Sequence, residues 1–163
     1  MGLNRRLALV LSGGGARGAY EVGIIHYIRT MLPAPVRHRR FPIQCGSSVG
    51  AINTCFMAST ANDLEYQGKQ IVSLWRELKT ENIYSRNLSA LSHFLAKSTL
   101  KAHSMTLLEK FLMKALDIEP ALSLDLMSYL TFEKSYLEQL IEIGFQDAKK
   151  YHAQLLGFLE EPS

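Results

Sequence analysis

Apolar residues along this chain fall into two kinds of run. Leu7-Ala8-Leu9-Val10-Leu11 and the segment Phe41 to Cys45 are short, nearly continuous and end in glycine, as expected for strands buried in a parallel sheet. Between them Val22, Ile25, Ile28 and Leu32 recur at helical spacing until Pro33 and Pro35, which predicts a helix over about 19 to 31 serving as the crossover between parallel strands. After the second strand, Val49, Ala51, Ile52, Cys55, Phe56 and Met57 are apolar around most of a helix, the pattern of burial. Leu64, Ile71, Leu74, Trp75 and Leu78 form a single stripe on the next helix, with Trp75 as its core anchor.

Beyond residue 82 the pattern loosens into Ser, Asn, Lys and His with scattered Leu and Phe up to His103. Thr106 with Glu109 resembles a capping box opening a helix on Leu108, Phe111, Leu112 and Ala115, and Pro120 stops it. The remainder reads as amphipathic helices at about 122–130, 133–143 with Gly144 as C-cap, and 146–159.

Both strands run into glycine-rich turns that open helices, and this is where chemistry is to be sought. Ser12-Gly13-Gly14-Gly15-Ala16-Arg17-Gly18 places successive backbone N–H groups before a helix N-terminus, where they can converge on an oxyanion or a phosphate. Three consecutive glycines cost backbone entropy on folding that a plain connector would not require. Cys45-Gly46-Ser47-Ser48-Val49-Gly50 satisfies Gly-x-Ser-x-Gly between a strand and a helix, the context of a nucleophile elbow. Ser48 would stand exposed at the apex, and Gly46 and Gly50 would remove Cβ atoms that collide with the crossing segments. Ser47, at an "x" position, would direct its hydroxyl elsewhere.

Gly13-x-Gly15-x-x-Gly18 also fits the dinucleotide fingerprint, but the acidic residue expected some 20 positions on is replaced by the basic loop Arg37-His38-Arg39-Arg40. A dinucleotide site is therefore disfavoured. The basic loop reads as solvated, with the capacity to touch anionic lipid headgroups.

Composition narrows the classes further. A chain of 163 residues with 47% hydrophobic and 20% charged positions suits one ordinary globular domain. The net charge of +3 is mild, and no nucleic-acid signature accompanies it. Cys45 and Cys55 suggest reduced, buried thiols and a cytoplasmic setting, and no run is long and apolar enough for a signal peptide or a membrane span. No metal-ligand spacing occurs, and no cofactor is called for.

Gly13-Gly14-Gly15-Ala16-Arg17-Gly18-Ala19-Tyr20 followed by Gly46-Ser47-Ser48-Val49-Gly50-Ala51-Ile52-Asn53 resembles the patatin-like phospholipases in both motifs, their order and their separation. The resemblance is sharp over about residues 5 to 80 and weak over Leu124 to Ala148. It implies an α/β fold with a three-layer core and cleavage of lipid acyl esters by a Ser-Asp dyad, without a cofactor. By the same resemblance Ser48 is the nucleophile, Gly13, Gly14 and Gly15 supply oxyanion-hole amides, and Arg17 with Gly18 braces that loop.

One departure stands out. The family's aspartate sits in an Asp-Gly motif, and no Asp-Gly dipeptide occurs here; Asp63, Asp117, Asp125 and Asp147 lie in other settings. Only two strands are legible, near 7–12 and 41–45, whereas a sheet covered on both faces needs more. The expectation is a single, truncated domain: a catalytic-core half over 1–97, a helical part over 104–163, and a central segment missing at a join within 95–106. Two functions follow, a serine acyl hydrolase with a lipid substrate and peripheral membrane contact, or an inactive remnant that binds. A triad using Asp147 and His152 is disfavoured because both fall on one helical surface, and His103 is the other candidate base.

Overall fold

The computed structural model describes residues 7–78 and 132–160. The expected join at 95–106, the Thr106 helix, the helix at 122–130, His103, Asp117 and Asp125 lie outside those residues.

Strands β1 (Ala8–Leu11) and β2 (Ile43–Gly46) pair in parallel, Ala8 opposite Ile43 and Leu11 opposite Gly46. A short 3₁₀ turn, Gly15–Arg17, leads from β1 into helix α1 (Gly18–Met31). Leu32 turns extended ahead of Pro33, and α2 (Ala34–Arg37) completes the crossover. From β2 the chain enters α3 (Val49–Ser59) and then α4 (Leu64–Glu77), opened by Asp63, whose carboxylate accepts the Tyr66 N–H at 2.9 Å. Helices α5 (Lys134–Lys150) and α6 (His152–Leu159) follow.

Among the described residues the sheet has one covered face and one bare one. Leu9 and Leu11 pack into the helical core, while Val10 is 74% and Ile43 47% exposed, with Ala8 and Cys45 on the same outer face. Among the described residues, helices therefore cover one side, giving two of the three layers expected. This changes two readings made from the pattern alone. Helix α3 is not buried all round, since Ile52 is 57% exposed on its outer side, and Cys45 and Cys55, though reduced, are exposed rather than buried. A continuous apolar run signals two covered faces, and among the described residues only one has its cover.

Helix α1 is the hub. Val22, Ile25 and Ile28 enter the core, and α5 crosses α1 at two glycines: a Cβ on Gly23 would lie 2.0 Å from the Ile141 carbonyl oxygen, and one on Gly144 2.1 Å from that of Tyr20. Gly144 is thus not a C-cap. Helix α5 runs through it, because backbones this close leave room for no side chain and the packing outweighs the propensity cost of a mid-helix glycine. The contact continues through Tyr20 Oη donating to Asp147 Oδ2 at 3.0 Å, Tyr27 Oη against His152 Nδ1 at 2.8 Å, and Tyr27 edge-on to Phe145. Burial and the Asp147 carboxylate together raise the Tyr20 phenol above its ordinary value of 10.0.

Candidate active site

The turn after β2 carries the backbone signature of an elbow. Ser48 has φ 49° and ψ −124°, and is the one non-glycine residue at positive φ among the described residues. Such a conformation costs on the order of 1–3 kcal/mol and persists only where the surroundings over-determine it. They do so here. A Cβ on Gly46 would lie 2.3 Å from the Gly50 carbonyl, and one on Gly50 would lie 2.5 and 2.6 Å from the carbonyl oxygens of Leu11 and Ser12. Strand and helix thus meet at distances only glycine permits. Ser47 N–H donates to the Leu11 carbonyl at 3.2 Å, and the Gly50 and Ala51 N–H groups close the first turn of α3 on Ser47 and Ser48.

The glycine loop lies directly against this elbow. A Cβ on Gly13 would stand 3.1 Å from Ser48 Cβ and 3.2 Å from Ser47 Oγ. Gly13 N–H donates to Ser47 Oγ at 2.9 Å, so Ser47 does direct its hydroxyl away from the Ser48 position and onto the loop. The Ser12 N–H and hydroxyl both donate to Glu21 Oε1, at 2.9 and 3.2 Å. Gly15 has φ 54°, and the Arg17 N–H returns to the Gly14 carbonyl at 3.1 Å. Of the three glycine amides, Gly13 is thus engaged, while Gly14 and Gly15 N–H donate to no described residue.

Behind the turn lies a buried polar knot. Asn53, on α3 and 0% exposed, accepts the Trp75 indole N–H at 2.8 Å and donates, at 3.4 Å in each case, to the Gly18 carbonyl and to Glu21 Oε2. Gly18 is closed in by Trp75 and Val49, each 2.8 Å from where its Cβ would be. One network therefore joins the glycine loop, α1, α3 and α4. Sequence reasoning passed over Glu21 and saw Trp75 only as core. A polar Asn53 within an apolar helix was the available signal, since a buried amide needs partners.

The candidate bases fall elsewhere. Asp63 caps α4, Asp147 accepts from Tyr20, and His152 meets Tyr27, so the Asp147–His152 pairing is taken up by α1. Among the described residues no side chain hydrogen-bonds Ser48 Oγ, and no cluster of His, Cys, Asp or Glu could hold a metal. Beside the loop a groove of about 630 Å³, lined by Leu9, Ile24, Ile28, Tyr136 and Leu140, opens at Ser12 to Gly14.

Comparison with known proteins gives the family of the chain. Residues 9–152 match the profile of the patatin-like phospholipases. Over 82 residues the chain is 37% identical to a cUMP-AMP-activated phospholipase of Escherichia coli; the aligned part is 50% of this chain and 24% of that protein. The chain thus spans about a quarter of the length of that relative. No solved structure is a significant match. With the family profile covering most of its length, from within β1 to the start of α6, the chain belongs to the patatin-like phospholipase family.

Proposed function

We propose that the chain carries the nucleophile and oxyanion elements of a lipid acyl-ester hydrolase. The observation that carries this reading is Ser48 held at φ 49° against a glycine loop with two uncommitted amides. In this reading Ser48 Oγ attacks the ester carbonyl carbon, and the oxygen that becomes negative is held by the N–H groups of Gly14 and Gly15. Gly13, already bound to Ser47, positions the loop instead. Collapse of the tetrahedral intermediate expels the alcohol, which takes up a proton, and leaves an acyl-serine. Water then attacks this ester, releasing the fatty acid and restoring Ser48.

The proton of Ser48 needs an acceptor within about 2.6 to 3.2 Å, or slightly farther without substrate. Since none of the described residues fills that role, the base would come from outside them. The substrate class, a lipid ester, rests on the family. The exposed Val10, Ile43 and Ile52 support contact with an apolar surface.

A fluorophosphonate probe tests this reading, because it reacts with a serine that has an oxyanion site even where turnover is slow. Slow labelling of Ser48, identified by peptide mass and lost in Ser48→Ala, is expected, with little hydrolysis of a chromogenic acyl ester. Labelling that survives Ser48→Ala would sink the assignment. Rapid ester turnover abolished by Ser48→Ala would show that a base is already present in the chain.

A further inference from the structure

Sharing no lining residue with the groove beside the glycine loop, a second cavity of about 280 Å³ lies between the start of β2, the end of α3 and the start of α4. Phe41 and Met57 form apolar walls, and Arg29, Arg40, Gln44 and Gln67 supply the polar ones. Its chemistry is unbalanced in two ways.

The first imbalance is charge. Arg29 is 2% exposed, yet its hydrogen bonds run only to neutral acceptors: Nε to Gln67 Oε1 at 2.7 Å, and Nη1 to the carbonyls of Arg37 and Arg39 at 2.8 Å each. Its guanidinium also stands 4.9 Å from the Phe41 ring centroid. Burial pushes Arg29 down to about 10, which still leaves it charged at neutral pH. Arg40 lines the same cavity, and among the described residues neither arginine is ion-paired. The nearby acids are committed, Asp63 to capping α4 and Glu65 to Lys69 at 2.8 Å. A buried cation with no counter-charge is costly unless an anion completes the site.

The second imbalance is an acceptor without a donor. Gln44 Nε2 donates to the Phe41 carbonyl at 3.2 Å, but Gln44 Oε1 is buried with no partner. Two cations alone would welcome any anion. A buried, unpartnered carbonyl oxygen on a residue of its wall repels one unless that anion carries a proton to give it.

We propose that this cavity binds a small oxyanion that brings its own O–H donor, of the hydrogen phosphate or hydroxylated phosphomonoester class, with Arg29 and Arg40 meeting the charge and Gln44 Oε1 accepting the proton. Phosphate retains an O–H at neutral pH and sulfate does not, so the carbonyl makes the site selective between ions of like shape. The site is separate from Ser48, and neither it nor its test depends on hydrolase activity. Because Gln44 lies on β2 four positions before Ser48 and Met57 lies on the helix that follows it, an occupant would brace both elements that hold the elbow.

Isothermal titration of the whole chain at fixed ionic strength, with inorganic phosphate, sulfate and glycerol 3-phosphate as probes, decides the matter. Phosphate should bind about tenfold or more tightly than sulfate, the difference expected of one buried hydrogen bond to a charged partner. Arg40 is exposed, so Arg40→Ala should keep its circular dichroism spectrum while phosphate binding weakens about tenfold. Gln44→Met should retain anion binding but lose the preference for phosphate over sulfate. Glycerol 3-phosphate binding more tightly than phosphate would identify a phosphomonoester as the occupant, and weaker binding would identify the free ion. Equal affinity for sulfate and phosphate, or phosphate binding unchanged in Arg40→Ala, would overturn the proposal.

Discussion

The amide of Gly13 donates to the hydroxyl of Ser47 at 2.9 Å, across 34 residues of sequence. That bond fastens the turn after β1 to the turn after β2 at the position next to Ser48. It explains why a second serine precedes Ser48. Removing the hydroxyl leaves the Gly13 N–H facing solvent, since both turns are exposed there. Ser47→Ala should therefore cost only about 0.5–1.5 kcal/mol, while hydrogen exchange at the Gly13 amide speeds up markedly. Ser47→Thr keeps the acceptor and should keep the protection. Unchanged exchange at Gly13 in Ser47→Ala would mean that the loop is held by something else.

Two glycines in the C-terminal helices make opposite forecasts from the same substitution. A Cβ on Gly144 would lie 2.1 Å from the Tyr20 carbonyl oxygen, whereas one on Gly157 meets nothing within 4 Å. Gly144→Ala should push α5 off α1 and lower stability by about 1–3 kcal/mol or more. Gly157→Ala, in helix α6, should be neutral or stabilising by up to about 1 kcal/mol. Urea midpoints measured side by side check both, and a harmless Gly144→Ala would refute the close crossing.

Asn53 holds the Trp75 indole N–H at 2.8 Å, both side chains being buried. Asn53→Ala would strand that donor and the Glu21 carboxylate's contact together, at a cost of about 1–3 kcal/mol for the buried N–H alone. Trp75 is the single tryptophan, so its fluorescence reports the change directly. Asn53→Asp keeps an acceptor for the indole but sets a second carboxylate beside Glu21, and should destabilise more as pH rises through the carboxylate range. An emission spectrum indifferent to Asn53→Ala would show that the indole is not held by Asn53.

The Tyr20–Asp147 contact carries a pH signature. Burial first, and the hydrogen bond and charge of Asp147 after it, raise the phenol above 10.0 in the folded chain. A group whose folded value is raised contributes stability that is fully present below its unfolded value and fades as pH climbs through the folded one. Thermal stability should thus hold up to about pH 10 and fall above it, and Tyr20→Phe should flatten that fall. Identical alkaline profiles for the two proteins would exclude Tyr20 as the cause.

Much of the N-terminal half was legible because its signals are local. An apolar run ending in glycine reads as a buried strand, and two such runs joined by a helical stripe admit a parallel pair with a crossover; β1, α1 and β2 follow that reading closely. The Gly-x-Ser-x-Gly spacing placed Ser48 at a strand–helix turn for the same reason, since only glycine at 46 and 50 allows so close a crossing. Tertiary structure decided what no local pattern encodes. Gly144 looked like a helix end because glycine usually is one, and became the crossing point with α1 because Tyr20 lies there in space. Cys45 and Cys55 are as apolar in sequence as buried residues, yet both stand exposed, Cys45 because one face of the sheet has no covering layer among the described residues. Which glycine amides remain uncommitted depended on Ser47 reaching Gly13, and the charge imbalance around Arg29 on which carbonyls the α2 turn presents to it. The sequence by itself determined the elements and the elbow, because backbone sterics and hydrophobic period act within a few residues; partners, burial and charge were decided by contacts between residues far apart in the chain.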